Sequence, residues 1–341
     1  MVPPTTFDPL MSLQTLNYTA RLLVAELDAS RLVARTLDAV VDFGRARRVA
    51  LLKLDHESHT LALAGVLAPD SFVDPELTIA LEDGPLQEVV ASRKAATFAA
   101  ALDAPAPLPA RPGESADPDY ECLVMPLVDS RAAVSGLLTL ERPLNDPLSP
   151  EDSQALTVVV TLASVAMENA NLFTLATTDG LTGLYVRRFF EIRLREELSR
   201  ARRHGGGVGL IITDIDHFKK FNDTYGHQQG DSVLRELAAL YRLGVRQDID
   251  VPCRYGGEEF CAILPATDLD GTFRVAERLR IASAEHQYPS AKGPLKVTIS
   301  AGVAVTQSPD VLTFEEIVSR ADQALYRAKE TGRNRVEMWS D

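Results

Sequence analysis

The chain of 341 residues carries 35 lysines and arginines against 48 aspartates and glutamates, a formal net charge of −13. That balance excludes a general nucleic-acid binder, whose surface is basic, but leaves room for a small anionic substrate held by a local cation cluster or a metal ion. Three cysteines, Cys122, Cys253 and Cys261, stand outside any CxxC spacing, so they make no metal set and fit a reducing compartment. The opening "MVPPTTFDPLMS" lacks the charged and apolar regions of a signal peptide. No stretch approaches the length of a membrane span, so the expectation is a cytoplasmic protein without a membrane partner. The length points to two domains.

In chain order, a helical pattern runs from Leu10 through Phe43 as two helices. "RRVALLKL" and "TLALAGV" read as strands around the polar turn "DHESH". A helix near "PLQEVVASRK" precedes "DAPAPLPARPGESADPD", a Pro- and Ala-rich surface loop. "ECLVMPLV" and "AVSGLLTLE" form a hairpin across "DSRA". The mixture predicts an antiparallel sheet with helices on its faces.

"LSPEDSQALTVVVTLASVAMENANLFTLATTD" starts with a capping pattern, Ser149 followed by Asp152, and stays apolar-periodic for more than twenty residues. Leu156, Ala163 and Ala170 recur every seventh residue, as do Val159, Ala166 and Phe173. These suit the a and d positions of a short coiled coil pairing two chains, and equally one amphipathic helix packed on its own domain. Because the segment joins two domains, the dimer seam is the preferred reading.

The second half opens near Asp179. Helix "RRFFEIRLREELSRARR" ends in "HGGG" before strand "VGLIITDID". No G-K-[ST] follows the glycines, and a strand comes next, so they form a helix-to-strand turn rather than a phosphate loop. A helix, strand "DVPCRY", turn "GG", strand "EEFCAIL", helix "LDGTFRVAERLRIASAEH", strand "LKVTISAGVAV" and helix "FEEIVSRADQALYRAKETG" complete an α+β sandwich with a mostly antiparallel sheet.

Asp214 stands at the end of a buried strand, and Asp216 shares its face if the strand continues. Opposite them the turn "RYGGEEF" brings Glu258 and Glu259, carboxylates that repel unless something sits against them. Together these make a hard-oxygen site suited to Mg²⁺ or Mn²⁺. Side chains alternate along a strand, so one of the two glutamates should dominate, and the glycines let a backbone or substrate approach closely. Read singly, an Asp after a strand is a helix cap and a GG pair is only a hairpin.

Residues 179–338 resemble the GGDEF diguanylate cyclase family, whose signature stands here as GGEEF at Gly256 to Phe260. The resemblance also rests on "DGLTGL" at 179–184, "DIDHFKKFNDTYGHQQGD" at 214–231 and "YRAKETGRNRV" at 326–336. It implies a palm-like, nucleotidyl-cyclase catalytic domain that condenses two GTP into cyclic di-GMP. Residues 15–175 look like a GAF sensory domain, with "LSPEDSQAL…AMENANLF" as its exit helix. The expected division is a tail at 1–14, a GAF-like domain at 15–150, a linker or signalling helix at 151–178 and the cyclase domain at 179–341.

Carried over by position, the resemblance implies that Asp214, the Ile215 carbonyl and Glu258 hold the metal, with Glu259 a secondary ligand. Glu258 also helps deprotonate the ribose 3′-hydroxyl. Asn222, His227 and Asp231 match guanine-side positions, where a carboxylate accepts from N1–H and the 2-amino group. Lys329 and Arg333 match positions at the triphosphate, with the amides of His217 and Phe218 and the side chain of Lys219 cradling its outer phosphates. Read alone, Asp231 is a favourable helix N-terminal acid, His227 a surface turn residue, and Lys329 and Arg333 solvated cations near a helix end.

Two positions depart from the pattern. Val186 stands where the family often has Asn. Asp250 fits the aspartate of the family's RxxD product-inhibition site, but Gln247 holds the arginine position and Arg246 lies one residue off, its side chain expected to point elsewhere. The reading is an active diguanylate cyclase regulated by an N-terminal GAF domain of unidentified ligand, working as a homodimer through the linker helix and GAF domain. The alternative is a degenerate domain that only binds nucleotide or a partner, which the intact acid and guanine sets oppose.

Overall fold

One aspartate breaks the long N-terminal apolar pattern into α1 (Pro9–Ala25) and α2 (Ala29–Gly44): Asp28 Oδ1 caps α2 by accepting from the Arg31 amide at 2.8 Å. The structure is a computed structural model. It describes residues 9–68, 76–82, 84–99, 119–291, 293–307 and 310–340. The chain divides into two units, Met1–Phe173 and Thr174–Asp341. Residues 103–118, read above as a surface loop, lie outside the described residues.

Unit 1 is built on a six-stranded antiparallel sheet. Its strands are β1 (Arg48–Asp55), β2 (Thr60–Leu67), β3 (Thr78–Ala80), β4 (Ala96–Ala99), β5 (Tyr120–Val128) and β6 (Val134–Pro143), in the order β3-β2-β1-β6-β5-β4. The short edge strands β3 and β4 escaped the sequence reading, because three or four residues carry no readable alternation. One face packs Leu51, Leu138 and Leu140 against α1, α2 and α4 (Pro150–Thr177). The other packs Leu52, Leu137, Cys122 and Val124 against Leu86 and Val89 of α3 (Pro85–Ser92).

The packing of α4 corrects the seam. Leu156, Val159, Ala163, Ala166 and Ala170 are all buried in their own unit's core, with Val160 beside them. Ser164 Oγ donates to the Val128 carbonyl at 2.7 Å, and Ser130 donates from both amide and hydroxyl to Glu168. A heptad of small apolar residues is what a helix needs to lie flat on a sheet, so periodicity alone did not separate the two readings. The large apolar residues that α4 leaves exposed are Val158, Val165, Leu172 and Leu175, the first three again seven apart. By length and composition α4 could cross a membrane, contrary to the expectation above; one of its faces is nevertheless committed to this core.

Unit 2 centres on a sheet of order β12-β11-β8-β10-β9-β7. Its strands are β7 (Tyr185–Val186), β8 (Gly207–Ile215), β9 (Val251–Arg254), β10 (Glu259–Pro265), β11 (Ile299–Gln307) and β12 (Val336–Met338). The four inner strands pair antiparallel and the two short edge strands pair parallel. α5 (Arg187–His204) and α9 (Phe314–Glu330) cover one face. α6 (Phe218–Tyr225), α7 (His227–Gly244) and α8 (Leu269–Glu285) cover the other. Gly205 and Gly206, at φ +78° and +100°, turn α5 into β8, the helix-to-strand role read from the sequence. Gly302 lets α9 lie directly on β11, since a Cβ there would overlap the backbone of Ala321 and Leu325. That contact fixes where the end of α9 arrives.

The two faces of α4 make a direct test. Val159→Glu puts a charge into the unit 1 core and should cost at least about 3 kcal/mol, abolishing the unit's cooperative unfolding. Gln154→Glu, at an exposed site of α4 outside both heptads, should leave it within about 0.5 kcal/mol of wild type by chemical denaturation. Equal losses would show that the exposed face is also packed.

Candidate active site

β8 delivers Asp214 to the end of the sheet, where it is register-paired with Glu259 on one side and Ser300 on the other. The strand runs into α9's last turn: Lys329 Nζ lies 2.8 Å from Asp214 Oδ2. Burial raises the Asp214 carboxyl above its ordinary range, and the lysine only partly offsets this. Glu258, in the turn before β10, is also raised, by burial first and then by the charge of Asp214. Arg333, held in the left-handed region at φ +61° by the turn after α9, adds a second cation acting on Asp214.

The glycines of the signature have separate duties. A Cβ on Gly256 would lie 2.5 Å from Glu259 Oε2, so that glycine makes room for the folded-back glutamate. Gly257 faces open space and offers its carbonyl to Arg254 Nη2 at 2.9 Å. Glu259 lies toward Asp322 on α9, whose carboxyl is raised by burial and then by Glu259, against Arg187 and Lys329. The two glutamates therefore meet different neighbours, as the alternation argument required. Among the described residues no three carboxylate, imidazole or thiol groups converge as a metal site. The charge of Asp214 acts on Glu258, and the Lys329 ammonium opposes the rise of both carboxyls. Two raised carboxylates beside a strand-end carbonyl are a donor set that fits a hard divalent cation.

Asp216 does not join that set. β8 ends at Ile215, and Asp216 accepts from Thr298 Oγ1 and Ser300 Oγ, each at 2.6 Å, and from the Asn334 amide at 3.0 Å. It ties β8, β11 and the turn after α9 together. The Ile215 amide donates to the Glu258 carbonyl at 3.3 Å, which holds the acid turn against the strand end.

Across the sheet, Asn222 is packed so closely on Gly230 that a Cβ there would overlap its Oδ1. That oxygen is buried with no hydrogen-bond partner, an acceptor left open in a helix-to-helix corner beside Asp231. His217 begins α6 at φ +58° with its side chain exposed, Phe218 anchors the core, and Lys219 and His227 are exposed.

Residues to which sequence reasoning gave no role hold the turn in place. Arg254 Nη1 meets both oxygens of Asp179 at 3.0 and 3.1 Å, tying "DGLTGL" to the signature. Asp179 also accepts from the Thr182 amide and hydroxyl. Burial works to raise its carboxyl, but the Thr182 and Arg254 bonds more than offset it, and the net shift is downward. Arg187 stacks on Tyr255, its guanidinium 4.5 Å from the ring centre. The only signal for these was adjacency to the motifs.

Arg246 also differs from expectation. The turn after α7 folds it back so that Nε and Nη2 grip Asp250, with Nη2 2.6 Å from Oδ1, and the Arg246 amide donates to Oδ2 at 2.7 Å. Pro265 and Thr267 take the rest of Nη2's capacity. Asp250 is 1% exposed at its side chain and has no free edge for a ligand.

Unit 2 is thus a helix-flanked, largely antiparallel sheet that brings a strand-end aspartate, an acidic turn and cations from a helix end together. Residues 176–335 match the family described as "Diguanylate cyclase, GGDEF domain", and residues 26–168 match the GAF domain family. The chain thus carries a C-terminal GGDEF domain and an N-terminal GAF domain. The response regulator PleD of Caulobacter vibrioides is 47% identical over 164 residues, 48% of this chain and 36% of that protein. Diguanylate cyclase DgcP of Pseudomonas aeruginosa is 45% identical over 163 residues, covering 48% and 24%. Diguanylate cyclase A of Treponema denticola is 38% identical over 183 residues, covering 53% and 49%. A solved coiled coil and GGDEF domain of DgcB from Caulobacter crescentus, in complex with c-di-GMP, aligns with TM-score 0.49 and 30% identity, over 56% of this chain and all of that one. The chain spans between 24% and 49% of the length of these curated relatives.

Because Asp214 and Glu258 are raised, their ionised forms oppose folding of the metal-free protein. The stability they withhold at neutral pH should return as pH falls through their raised values. It should be lost again when Asp179, whose folded value is lowered, takes its proton below the ordinary carboxylate range. Glu258→Gln should therefore raise the metal-free unfolding temperature at neutral pH by a few degrees and flatten the acid-side rise. Calorimetry in a chelator that finds this variant less stable would contradict the account.

Proposed function

We propose that this protein is a diguanylate cyclase, condensing two GTP into cyclic di-GMP and two pyrophosphates under control of its GAF domain. The observation that carries the reading is the raised carboxyls of Asp214 and Glu258 beside Lys329 at the sheet end, inside a GGDEF domain several of whose curated relatives are named diguanylate cyclases. Asp214, the Ile215 carbonyl and Glu258 would hold Mg²⁺ or Mn²⁺, with Glu259 reached secondarily. A cation bound there lowers the pKa of the ribose hydroxyl and neutralises charge on the phosphoryl group.

Glu258 takes the proton of the 3′-hydroxyl. That oxygen attacks the α-phosphorus of a second GTP, the bond to the bridging oxygen breaks, and pyrophosphate leaves. A second such step closes the ring. Lys329 and Arg333 neutralise the triphosphate, and the amides of His217 and Phe218 with Lys219 hold its outer phosphates. Lys329 must then exchange its partner from Asp214 to phosphate. Asp231 and Asn222 select guanine, whose N1–H and 2-amino groups are donors; His227 flanks them. Adenine, with a lone pair at N1, leaves these acceptors unpaired.

One unit holds one GTP, so bond formation takes two facing copies. The outward face of α4 supplies the pairing surface: Val158, Val165 and Leu172 with Leu162 and Asn169 four residues on from the first two, a heptad seam carrying the polar residue that favours two strands. The protein is read as cytoplasmic.

With GTP and Mg²⁺ the protein should form cyclic di-GMP, Glu258→Gln should lose more than about a hundredfold in rate, and ATP should be a poor substrate. Wild-type turnover by the variant, measured by chromatography of products, would sink the assignment.

Product feedback should be weak. Asp250 is already gripped by Arg246 and Gln247 offers no guanidinium, so Gln247→Arg alone should leave cyclic di-GMP binding weak. Calorimetry showing tight binding that vanishes in Asp250→Ala would show that the aspartate is released for product.

A further inference from the structure

The hairpin that carries the acidic turn holds two thiols side by side at its base. Cys253 on β9 and Cys261 on β10 are register partners, so their side chains leave the sheet on one face. Both are buried in the core that α5 and α9 cover. Between them the chain runs only through residues 254–260, the turn with Glu258 and Glu259. The third cysteine, Cys122, lies in unit 1 with no second cysteine in that unit. Small apolar side chains would fill these two positions as well as thiols do. What they could not do is join, and the register decides whether the thiols can.

The Tyr255 amide donates to the Glu259 carbonyl at 2.8 Å, which makes those two a hydrogen-bonded pair of the ladder. Two residues back along each strand, Cys253 and Cys261 are again a hydrogen-bonded pair, a place where Cα atoms stand about 5.5 Å apart. A disulfide spans Cα separations of about 4.4 to 6.8 Å, so the pair is within its reach. The Cβ atoms of such a pair lie near the wide end of cross-strand spacing, about 5.5 Å, whereas a bridge holds them at about 3.8 Å. Joining therefore draws the two strands together at the root of the turn, and the strained bond is readily reduced again. Burial first, and then the Cys253 thiol beside it, hold the Cys261 thiol well above its ordinary range. That thiol is quiet while the hairpin is closed. β9 is four residues long and is flanked on its outer side by the two-residue strand β7, and a short strand this near a sheet edge parts from its neighbour at low cost.

We propose that Cys253 and Cys261 are a reversible redox pair: a hydroperoxide joins them, and the bond staples the base of the acidic hairpin and shifts the turn that carries Glu258. One sulfur attacks a peroxide oxygen, the O–O bond breaks, and the leaving hydroxide takes the thiol proton as water. The second sulfur attacks the sulfenic acid so formed, the S–S bond forms as the S–O bond breaks, and the second thiol proton leaves in a second water. Two thiols lose two electrons and one hydroperoxide gains them. A dithiol reverses the step by exchange. The staple stands apart from the catalytic reading of unit 2; only its effect on turnover rests on that reading.

The test takes the full chain, reduced, through hydrogen peroxide and back into dithiothreitol. Trypsin cuts after Arg246, Arg254 and Arg274, so a bridge leaves peptide 247–254 joined to peptide 255–274, lighter than their sum by the two thiol hydrogens. Mass spectrometry should find the joined peptides after peroxide, lose them in dithiothreitol, and find Cys122 unjoined throughout. Hydrogen exchange at the turn amides should slow several-fold in the joined form. Formation of cyclic di-GMP should fall several-fold and recover on reduction, and Cys253→Ala should keep its rate in peroxide. Should that variant not fold, the oxidation and reduction cycle of the unaltered protein makes the same comparison. Joined peptides that form only in urea, peroxide adducts on the two cysteines without joining, or a joined hairpin whose exchange matches that of the reduced protein would overturn the proposal. A reduced protein that makes no cyclic di-GMP would sink the cyclase reading instead, and joining and exchange would still decide the staple.

Discussion

Negative charge gathered at one end of the second sheet has to be held there against its own repulsion, and much of unit 2 is arranged around that constraint. Asp214, Glu258, Glu259, Asp216 and Asp322 are spread along the strand ends on β8, the acidic turn and α9, and most are met by a cation or by donors. Lys329 pairs with Asp214, three donors absorb Asp216, and Arg187 faces Asp322 and Glu259. Asp214 and Glu258 stay raised despite this, because burial outweighs the cations beside them.

The backbone serves the same end. Gly302 brings α9 onto β11, and Lys329 follows from where that helix stops. Arg254 joins the first turn of the domain, through Asp179, to the carbonyl of Gly257 beside the acidic pair. A displacement of Asp179 therefore loads directly on the turn that carries Glu258. Polar ties of this kind, short and charge-assisted, position a group more sharply than apolar packing does.

In unit 1 the long helix α4 shows how one periodicity serves two surfaces. Its small residues lie flat on the sheet and its Val158, Val165 and Leu172 turn outward. A sheet face accepts alanines because the helix must approach closely, whereas a helix pair prefers branched or larger side chains. The two heptads run side by side in the sequence, offset by a single residue.

The sequence by itself determined the class of the protein. Four ordered motifs named the GGDEF domain, strand and helix periodicity named both α+β units, and the pattern placed Asp214 at a strand end and Glu258 in a glycine turn, where the structure has them. The edge strands β3, β4, β7 and β12 were not legible, being too short for alternation to register. Nor was the packing of α4, because a heptad says that a face is apolar and not what covers it. Tertiary structure alone decided that three donors meet at Asp216, that Arg246 reaches back to Asp250, and that Arg254 bridges Asp179 and Gly257. In each case the partner lies on another element or across a turn, and which donors meet which acceptors depends on how the chain folds back, which local pattern does not encode.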